Sequence, residues 1–330
     1  DYILPDNLSV ERLSKVGPKR YPFSFEMKNK INSFNPDLIY LKGLWKQTSI
    51  EAYLWKKKNK KKILIVSPAG MLQPIPFSKN KFKKKLSLFF IENKLLKICD
   101  LVQSVSELEQ SCFLKSNYKF KRQIYIPEGI PIVYKGLKLK KNNFSKKLIF
   151  LSRISPIKGL EIFIEALALV NFKGWQFIIY GFGDENYIKK IEFLIRKYNL
   201  EKNIKLASSV FGKEKCIAYE EASGFVLPSL SEAFGISIAE AMSFGLPVIT
   251  TTATPWLDIQ KEKTGWYVKP NKIELAKAVQ SLFDSKEEEL IIMGERAQKL
   301  IAKRYDWNKT AKQMEEQIEI IKNFKKEFEK

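Results

Sequence analysis

Short apolar runs alternate with amphipathic helical stretches along nearly the whole chain, a pattern that points to parallel α/β architecture. In the first half, Asp37–Leu41, Ile63–Val66, Leu101–Ser104 and Ile124–Ile126 read as strands, with Gln47–Lys58 and Phe82–Ile98 as helices between them. A lysine- and asparagine-rich stretch, Lys135–Lys147, reads as a linker. The pattern then restarts. Leu148–Ser152, Phe177–Tyr180, Ile204–Leu206, Phe225–Leu227, Pro247–Thr250 and Trp266–Val268 read as strands. Gly159–Val170, Tyr187–Asn199, Lys213–Glu220, Gly235–Phe244, Ile273–Phe283, Glu287–Lys303 and Lys309–Phe328 read as helices. A length of 330 residues suits two domains, each with its own core. The divisions are expected at 1–146, 147–304 and a closing segment 305–330.

No apolar run approaches the 18 residues of a membrane span, and no signal peptide is visible. Cys99, Cys112 and Cys216 have unrelated spacings that match no metal site, and their odd number argues against a disulfide framework. A reducing cytosol is the expected setting. The net charge of +22 is unevenly spread: residues 1–146 hold 30 Lys/Arg against 11 Asp/Glu, whereas the rest holds 28 against 25. A basic first half attracts an anionic membrane, a nucleic acid or an anionic substrate; it equally reads as a solvated, lysine-rich surface. Lys56–Lys62 and Lys79–Lys85 concentrate this charge, and the second leads into the apolar Leu86–Ile91. A basic, aromatic-rich helix is one form a membrane-surface anchor takes, and a core helix with a lysine face is the other reading. Regularly interleaved aromatic positions are missing, which disfavours nucleic acid relative to lipid.

The chemistry concentrates in Pro228-Ser229-Leu230-Ser231-Glu232-Ala233-Phe234-Gly235, followed by Ile236–Met242 and Gly245-Leu246-Pro247-Val248. A strand, a Pro-Ser turn, an acid, a Gly-started helix and a second acid, Glu240, make a compact site for a nucleotide diphosphate. The helix N-terminus offers free N–H groups to a phosphate, and the two carboxylates accept hydrogen bonds from hydroxyls. Two isolated acids on a helix face would otherwise be a solvated pair. Upstream, Arg153 and Lys158 stand five positions apart where a strand runs into a helix, so that they can clamp a diphosphate from two sides. Gly181 and Gly183 follow another strand and permit close backbone approach to a ligand.

The Glu-x7-Glu arrangement of Glu232 and Glu240, with Phe234-Gly235 after the first and Gly245-Leu246-Pro247-Val248 after the second, resembles the donor site of retaining glycosyltransferases of family 4. The resemblance is strong from Leu148 to Val268 and looser back to about Asp37. It implies the GT-B fold, two Rossmann-like domains facing a cleft. The chain begins at Asp1 and its first 36 residues show little Rossmann periodicity, so the N-terminal domain is expected without its first strand unit, as in a partial sequence. By the same resemblance Arg153 and Lys158 contact the donor diphosphate and stabilise the leaving nucleotide. Glu232 contacts the transferred sugar, Glu240 the ribose hydroxyls, and the backbone of Phe234, Gly235 and Ile236 caps sugar or phosphate. Val210 and Phe211 lie by the base, and Gly181 and Gly183 line the cleft. Ala233 stands where members often have Gly or Asn, and Ser208-Ser209 where they often have Gly-Pro, which leaves uridine and guanosine both open.

Thr254-Pro255-Trp256 and Gly265-Trp266-Tyr267-Val268 resemble the members that build lipopolysaccharide, capsule or exopolysaccharide; Trp256 reads equally as a packing residue beneath the loop. Gly43-Leu44-Trp45 and Ser67–Leu72 resemble acceptor-side loops, with Gly43, Gly70 and Met71 as the candidate residues. The members often have His near Gly43 and Arg at the position of Ala69. This chain contains no histidine, which excludes a histidine general base. The final helix is implied to cross back onto the N-terminal domain, with Trp307 packing the crossing. The expected activity is retaining transfer of a sugar from a UDP- or GDP-linked donor to a glycan or lipid-linked saccharide, in the cytoplasm or on the inner face of the membrane. No cofactor is expected, and no metal, because no Asp-x-Asp motif occurs. Two alternatives stay open: a degenerate or truncated transferase serving as a basic membrane- or nucleic-acid-binding protein, and a nucleotide-sugar epimerase of the same fold.

Overall fold

The computed structural model describes residues 8–17, 22–73, 91–116, 118–131 and 144–327. The basic run Lys79–Lys85 and residues 135–143 of the Lys135–Lys147 linker lie outside these residues. The chain divides into two compact α/β units, Asp1–Pro127 with Thr310–Lys330, and Glu128–Lys309.

In the first unit, α1 (Met27–Phe34) precedes β1 (Leu38–Lys42), α2 (Gln47–Lys58), β2 (Ile63–Ser67), α3 (Asn93–Ile98), β3 (Leu101–Ser104), α4 (Glu107–Leu114) and β4 (Gln123–Tyr125). The four strands form a parallel sheet in the order β1-β2-β3-β4. Every residue of β2 is buried, and the period-2 alternation of a strand sends them to opposite faces. Leu64 and Val66 join Leu41, Trp55, Leu95, Val102 and Phe113 in one core cluster. Ile63 and Ile65 join Leu101 and Ile321 in another, with Met314 and Ile318 against it. A parallel strand covered on both faces reads as a continuous apolar run, as Ile63–Val66 does.

The half-buried Asp100, just before β3, ties this unit together. Its carboxylate accepts from Lys56 Nζ at 2.7 Å and Lys325 Nζ at 2.9 Å, and from the Leu64 N–H at 2.8 Å. Lys325 also donates to the carbonyls of Lys60, Lys61 and Lys62. Burial, with Lys325 close by, lowers Lys56 to about 8 despite the Asp100 partner.

The second unit contains β5 (Lys147–Leu151), α5 (Leu160–Leu167), β6 (Gln176–Tyr180), α6 (Glu185–Lys197), β7 (Ile204–Ala207), α7 (Gly212–Glu220), β8 (Gly224–Leu227) and α8 (Ile236–Ser243). It continues through β9 (Val248–Thr251), α9 (Asp258–Lys261), β10 (Gly265–Val268), α10 (Lys272–Asp284) and α11 (Glu287–Arg304), and α12 (Trp307–Glu327) follows. Its six strands are parallel in the order β10-β9-β8-β5-β6-β7. Counted from β7 inward, this is the third, second, first, fourth, fifth and sixth strand of the unit, the order of a doubly wound dinucleotide-binding sheet. Trp175 stacks on Phe283 with ring centroids 4.8 Å apart, pinning α10 beside the start of β6.

Strand limits agree with the sequence reading to within a residue or two. Helices α1, α4 and α9 were not expected, and the described part of the expected Phe82–Ile98 helix includes α3. Trp307 was expected to be a packing aromatic but is 60% exposed. Tyr305, two residues earlier, is buried instead, because it faces Phe234 and Trp256. No helix among the described residues is long and apolar enough to cross a membrane.

Candidate active site

The winding of the second sheet reverses between β5 and β8. From β5 the chain proceeds to β6 on one side, and from β8 to β9 on the other. The loops leaving the carboxyl ends of these two strands therefore diverge and open a crevice, the place where open α/β sheets take ligands. The β5 loop carries Arg153 and Lys158, and the β8 loop carries Ser229 and Glu232. The Leu230 N–H donates to the Ile157 carbonyl at 2.8 Å and stitches the loops together. Gly159 (φ +72°) lets them meet: a Cβ there would stand 2.0 Å from the Pro228 carbonyl oxygen.

Lys158 ends a single 3-10 turn, Pro156–Lys158, between extended Ser155 and left-handed Gly159. Its Nζ lies 2.5 Å from Glu232 Oε1, and both side chains are 11% exposed. Ser229 Oγ donates to the same oxygen at 2.7 Å. The Ser229 carbonyl in turn accepts from Thr251 Oγ1 at 2.5 Å, which fixes the turn against β9. Both side-chain bonds to the Glu232 carboxylate fall on Oε1, so Oε2 keeps acceptor capacity for a hydroxyl. Arg153 is exposed on the same loop.

Glu240, on the second turn of α8, is held from α7. Lys215 Nζ is 2.7 Å from its Oε1, with the two side chains 21% and 22% exposed. Tyr219 OH donates to Oε2 at 3.0 Å. Burial, reinforced by the Glu240 charge, raises the Tyr219 phenol well above its usual range, so it stays a donor. Neither Lys215 nor Tyr219 was singled out from the sequence. Their spacing of four places both on one face of α7, but nothing local says that this face meets Glu240, 25 residues beyond Lys215.

Phe234 points into the core beside Trp256 and Tyr305, with centroids 5.2 and 5.5 Å away. Trp256 is 1% exposed, and its Nε1 donates to the Phe234 carbonyl at 2.5 Å. Of the two readings of Trp256, packing beneath the loop is the one observed. Gly235 caps α8 with φ +89°, Ala233 is half-buried, and Ile236 presents an exposed side chain.

Gly181 and Gly183 both pack against backbone of the chain itself. A Cβ on Gly181 would lie 2.0 Å from Ser152 O, and one on Gly183 2.1 Å from Ile154 O. The close approach is thus to the chain's own β5 loop, which continues its pairing past the sheet through an Ile154–Gly183 bridge. Val210 is half-buried and Phe211 65% exposed, just before α7. Among the described residues no cluster of three His, Cys, Asp or Glu is arranged to hold a metal.

In the first unit, Gly43, Gly70 and Met71 come together where β1 and β2 end. The Gly43 N–H donates to Ser67 O at 2.8 Å, and the Leu44 N–H approaches Met71 Sδ at 3.0 Å. Two buried carboxylates brace these loops. Glu109 Oε1 accepts from Gly70 N at 2.6 Å, and Glu92 Oε1 from Trp45 N at 2.9 Å.

Glu92 Oε2 is buried without a hydrogen-bond partner among the described residues. Burial raises this carboxyl to about 7, and the hydrogen bond from the Trp45 N–H opposes the shift only in part. The folded state therefore keeps a proton that the unfolded chain, at its ordinary 4.5, has released. Stability is expected to fall as pH rises from about 4.5 to 7, by about 3 kcal/mol, and to level off above that. Glu92→Gln is expected to melt well above the wild type at pH 8 and close to it at pH 4.5. Thermal unfolding at the two pH values checks this, and equal melting temperatures at pH 8 would refute it.

A family model described as glycosyl transferases group 1 matches residues 137–319, just over half of the chain. The putative colanic acid biosynthesis glycosyltransferase WcaL of Escherichia coli K12 is 29% identical over 133 residues, 38% of this chain and 32% of its own. The chain thus spans about a third of that curated relative's length. The GDP-mannose:cellobiosyl-diphosphopolyprenol alpha-mannosyltransferase of Xanthomonas campestris is 24% identical over 282 residues, covering 83% of this chain and 70% of its own. Among solved structures, Anabaena Alr3699/HepE in complex with UDP-glucose aligns with TM-score 0.74 at 20% identity, covering 89% of this chain and 81% of its own. At that identity the likeness is one of fold.

Proposed function

The chain belongs to the group 1 glycosyl transferases, and from that membership we propose that it moves a hexosyl group from a UDP- or GDP-linked donor to a glycan or lipid-linked saccharide with retention at the anomeric carbon. The observation that carries this reading is the convergence at the winding reversal of the second sheet, where Lys158 and Ser229 both bond to Glu232 and the loop of Lys158 also carries Arg153. Cations there meet a diphosphate, and carboxylate oxygens meet hydroxyls. The named ligand of the HepE neighbour and the named donor of the Xanthomonas relative support a nucleotide-linked sugar.

In this reading Arg153 and Lys158 hold the diphosphate and stabilise the charge that grows on it as the bond from C1 to the phosphate oxygen breaks. The departing phosphate oxygen takes the electron pair. The acceptor oxygen bonds to C1 from the same face and passes its proton to that phosphate oxygen, so no histidine is needed. Glu232 orients the sugar through its hydroxyls, and Glu240 the ribose. The polysaccharide-building relatives favour an acceptor in cell-surface glycan synthesis. The basic first half of the chain suits an acceptor held at an anionic membrane surface.

Calorimetric titration of UDP and of GDP into the whole protein tests the site. One nucleotide is expected to bind, and Glu240→Ala to weaken it by about tenfold or more, the value of hydrogen bonds to a charged group. Binding of neither nucleotide by folded wild type, or unchanged affinity in Glu240→Ala, would refute the donor-site assignment.

A further inference from the structure

Glu240 is gripped by two donors at once, one on each carboxylate oxygen: Lys215 Nζ on Oε1 at 2.7 Å and Tyr219 OH on Oε2 at 3.0 Å. We propose that Lys215 and Tyr219 are positioning residues that set Glu240 as a receptor for a vicinal diol, so that the site selects ribonucleotides over 2′-deoxyribonucleotides. The inference rests on the reading of Glu240 as a nucleotide contact and adds the two residues and the selectivity.

An ionised carboxylate only accepts, and each oxygen has room for about two hydrogen bonds. With one place on Oε1 taken by Lys215 and one on Oε2 by Tyr219, about one place remains on each. The matching ligand brings two O–H donors on adjacent carbons, as the 2′- and 3′-hydroxyls of ribose do. A 2′-deoxyribose brings one, and leaves an oxygen of a half-buried carboxylate short of a partner.

The grip is rigid because its base is buried. Tyr219 stacks on Phe244 with centroids 5.1 Å apart and touches Phe225. On α8, Ile238, Ala239, Ala241 and Met242 are buried on either side of Glu240. The Tyr219 phenol stays protonated, so its O–H remains available to donate to Glu240. Lys215 and Tyr219 lie one turn apart on α7 and therefore act together on the single side chain they meet.

The test is calorimetry of UDP against 2′-deoxy-UDP, and of GDP against 2′-deoxy-GDP, on the full chain. The variants are Lys215→Met, Tyr219→Phe and Lys215→Arg. Wild type is expected to prefer the ribonucleotide by about 10- to 100-fold. Lys215→Met is expected to reduce the preference to about threefold or less by weakening the ribonucleotide, with little change for the deoxy form. Tyr219→Phe, which keeps the buried ring, is expected to fall between, and Lys215→Arg to restore most of the preference. A purely structural role would weaken both nucleotides equally, and that result overturns the inference. So does a wild type that binds UDP and 2′-deoxy-UDP alike, or a preference unchanged in Lys215→Met. A wild type that binds neither UDP nor GDP overturns the donor-site reading and this inference with it.

Discussion

Lys158→Ala is expected to lower turnover about 100- to 1,000-fold, the usual effect of removing one fixed charge aimed at a developing anion. The donor's KM should rise far less, because Arg153 and the Glu240 side remain. The lysine ammonium is delivered by a rigid turn, with Pro156 fixing one end and Gly159 the other. It lies 2.5 Å from Glu232, so its removal also leaves that carboxylate with Ser229 alone. A wholly exposed lysine pair would be worth little; at 11% exposure the lost partner matters more. Lys158→Arg keeps the charge with a different shape and is expected to recover part of the rate. The measurement is nucleotide release with the donor that calorimetry selects, alongside a circular-dichroism melt to show that the variant is folded. A kcat within twofold of wild type in a folded variant would remove Lys158 from the proposed chemistry.

Gly159→Ala is expected to destabilise the second unit by about 3 kcal/mol or more, because the new methyl group meets backbone and cannot be relieved by a rotamer change. The ideal Cβ stands 2.0 Å from Pro228 O and 3.0 Å from Pro228 C. Relief requires the β5 and β8 loops to part, which breaks the Leu230–Ile157 bond and separates Lys158 from Glu232. Gly212→Ala is the control. Gly212 also has positive φ (+51°), yet nothing lies within 4 Å of its Cβ position, so only the conformational cost of about 1 kcal/mol remains. Urea unfolding of the two variants should separate them clearly. Equal, small shifts would show that the two loops yield freely, contrary to the packing.

Much of the fold was legible because its signals are local. The strand Ile63–Val66 is an unbroken apolar run, and Phe225–Leu227 is bounded by Ser223-Gly224 and Pro228, so each was placed to within a residue. Helix α2 was read with its observed limits. Helix α4 was missed although its start was written in the chain: Ser106 caps it by accepting from the Glu109 N–H, and Ser-x-x-Glu is a known start signal. What hid it was the lack of an amphipathic stripe, since Glu109 is buried holding Gly70 and Val105 rather than facing solvent.

The candidate site divides in the same way. Arg153, Lys158, Glu232 and Glu240 stand out in the sequence because a strand–loop–helix junction is a short-range pattern, and its residue types carry their chemistry with them. The pairing of Lys158 with Glu232 across 74 positions was not readable, nor was the grip of Lys215 and Tyr219 on Glu240. Those depend on strand order: β5 must lie beside β8 before their loops can meet. Likewise the burial of Tyr305 rather than Trp307 was settled by which ring meets Phe234 and Trp256. The sequence by itself determined the α/β alternation, the strands and the chemically able residues, since periodicity and turn chemistry act over a few neighbours. Only the tertiary structure decided which of those residues touch, because contact between distant segments is set by sheet order and by the space their backbones leave.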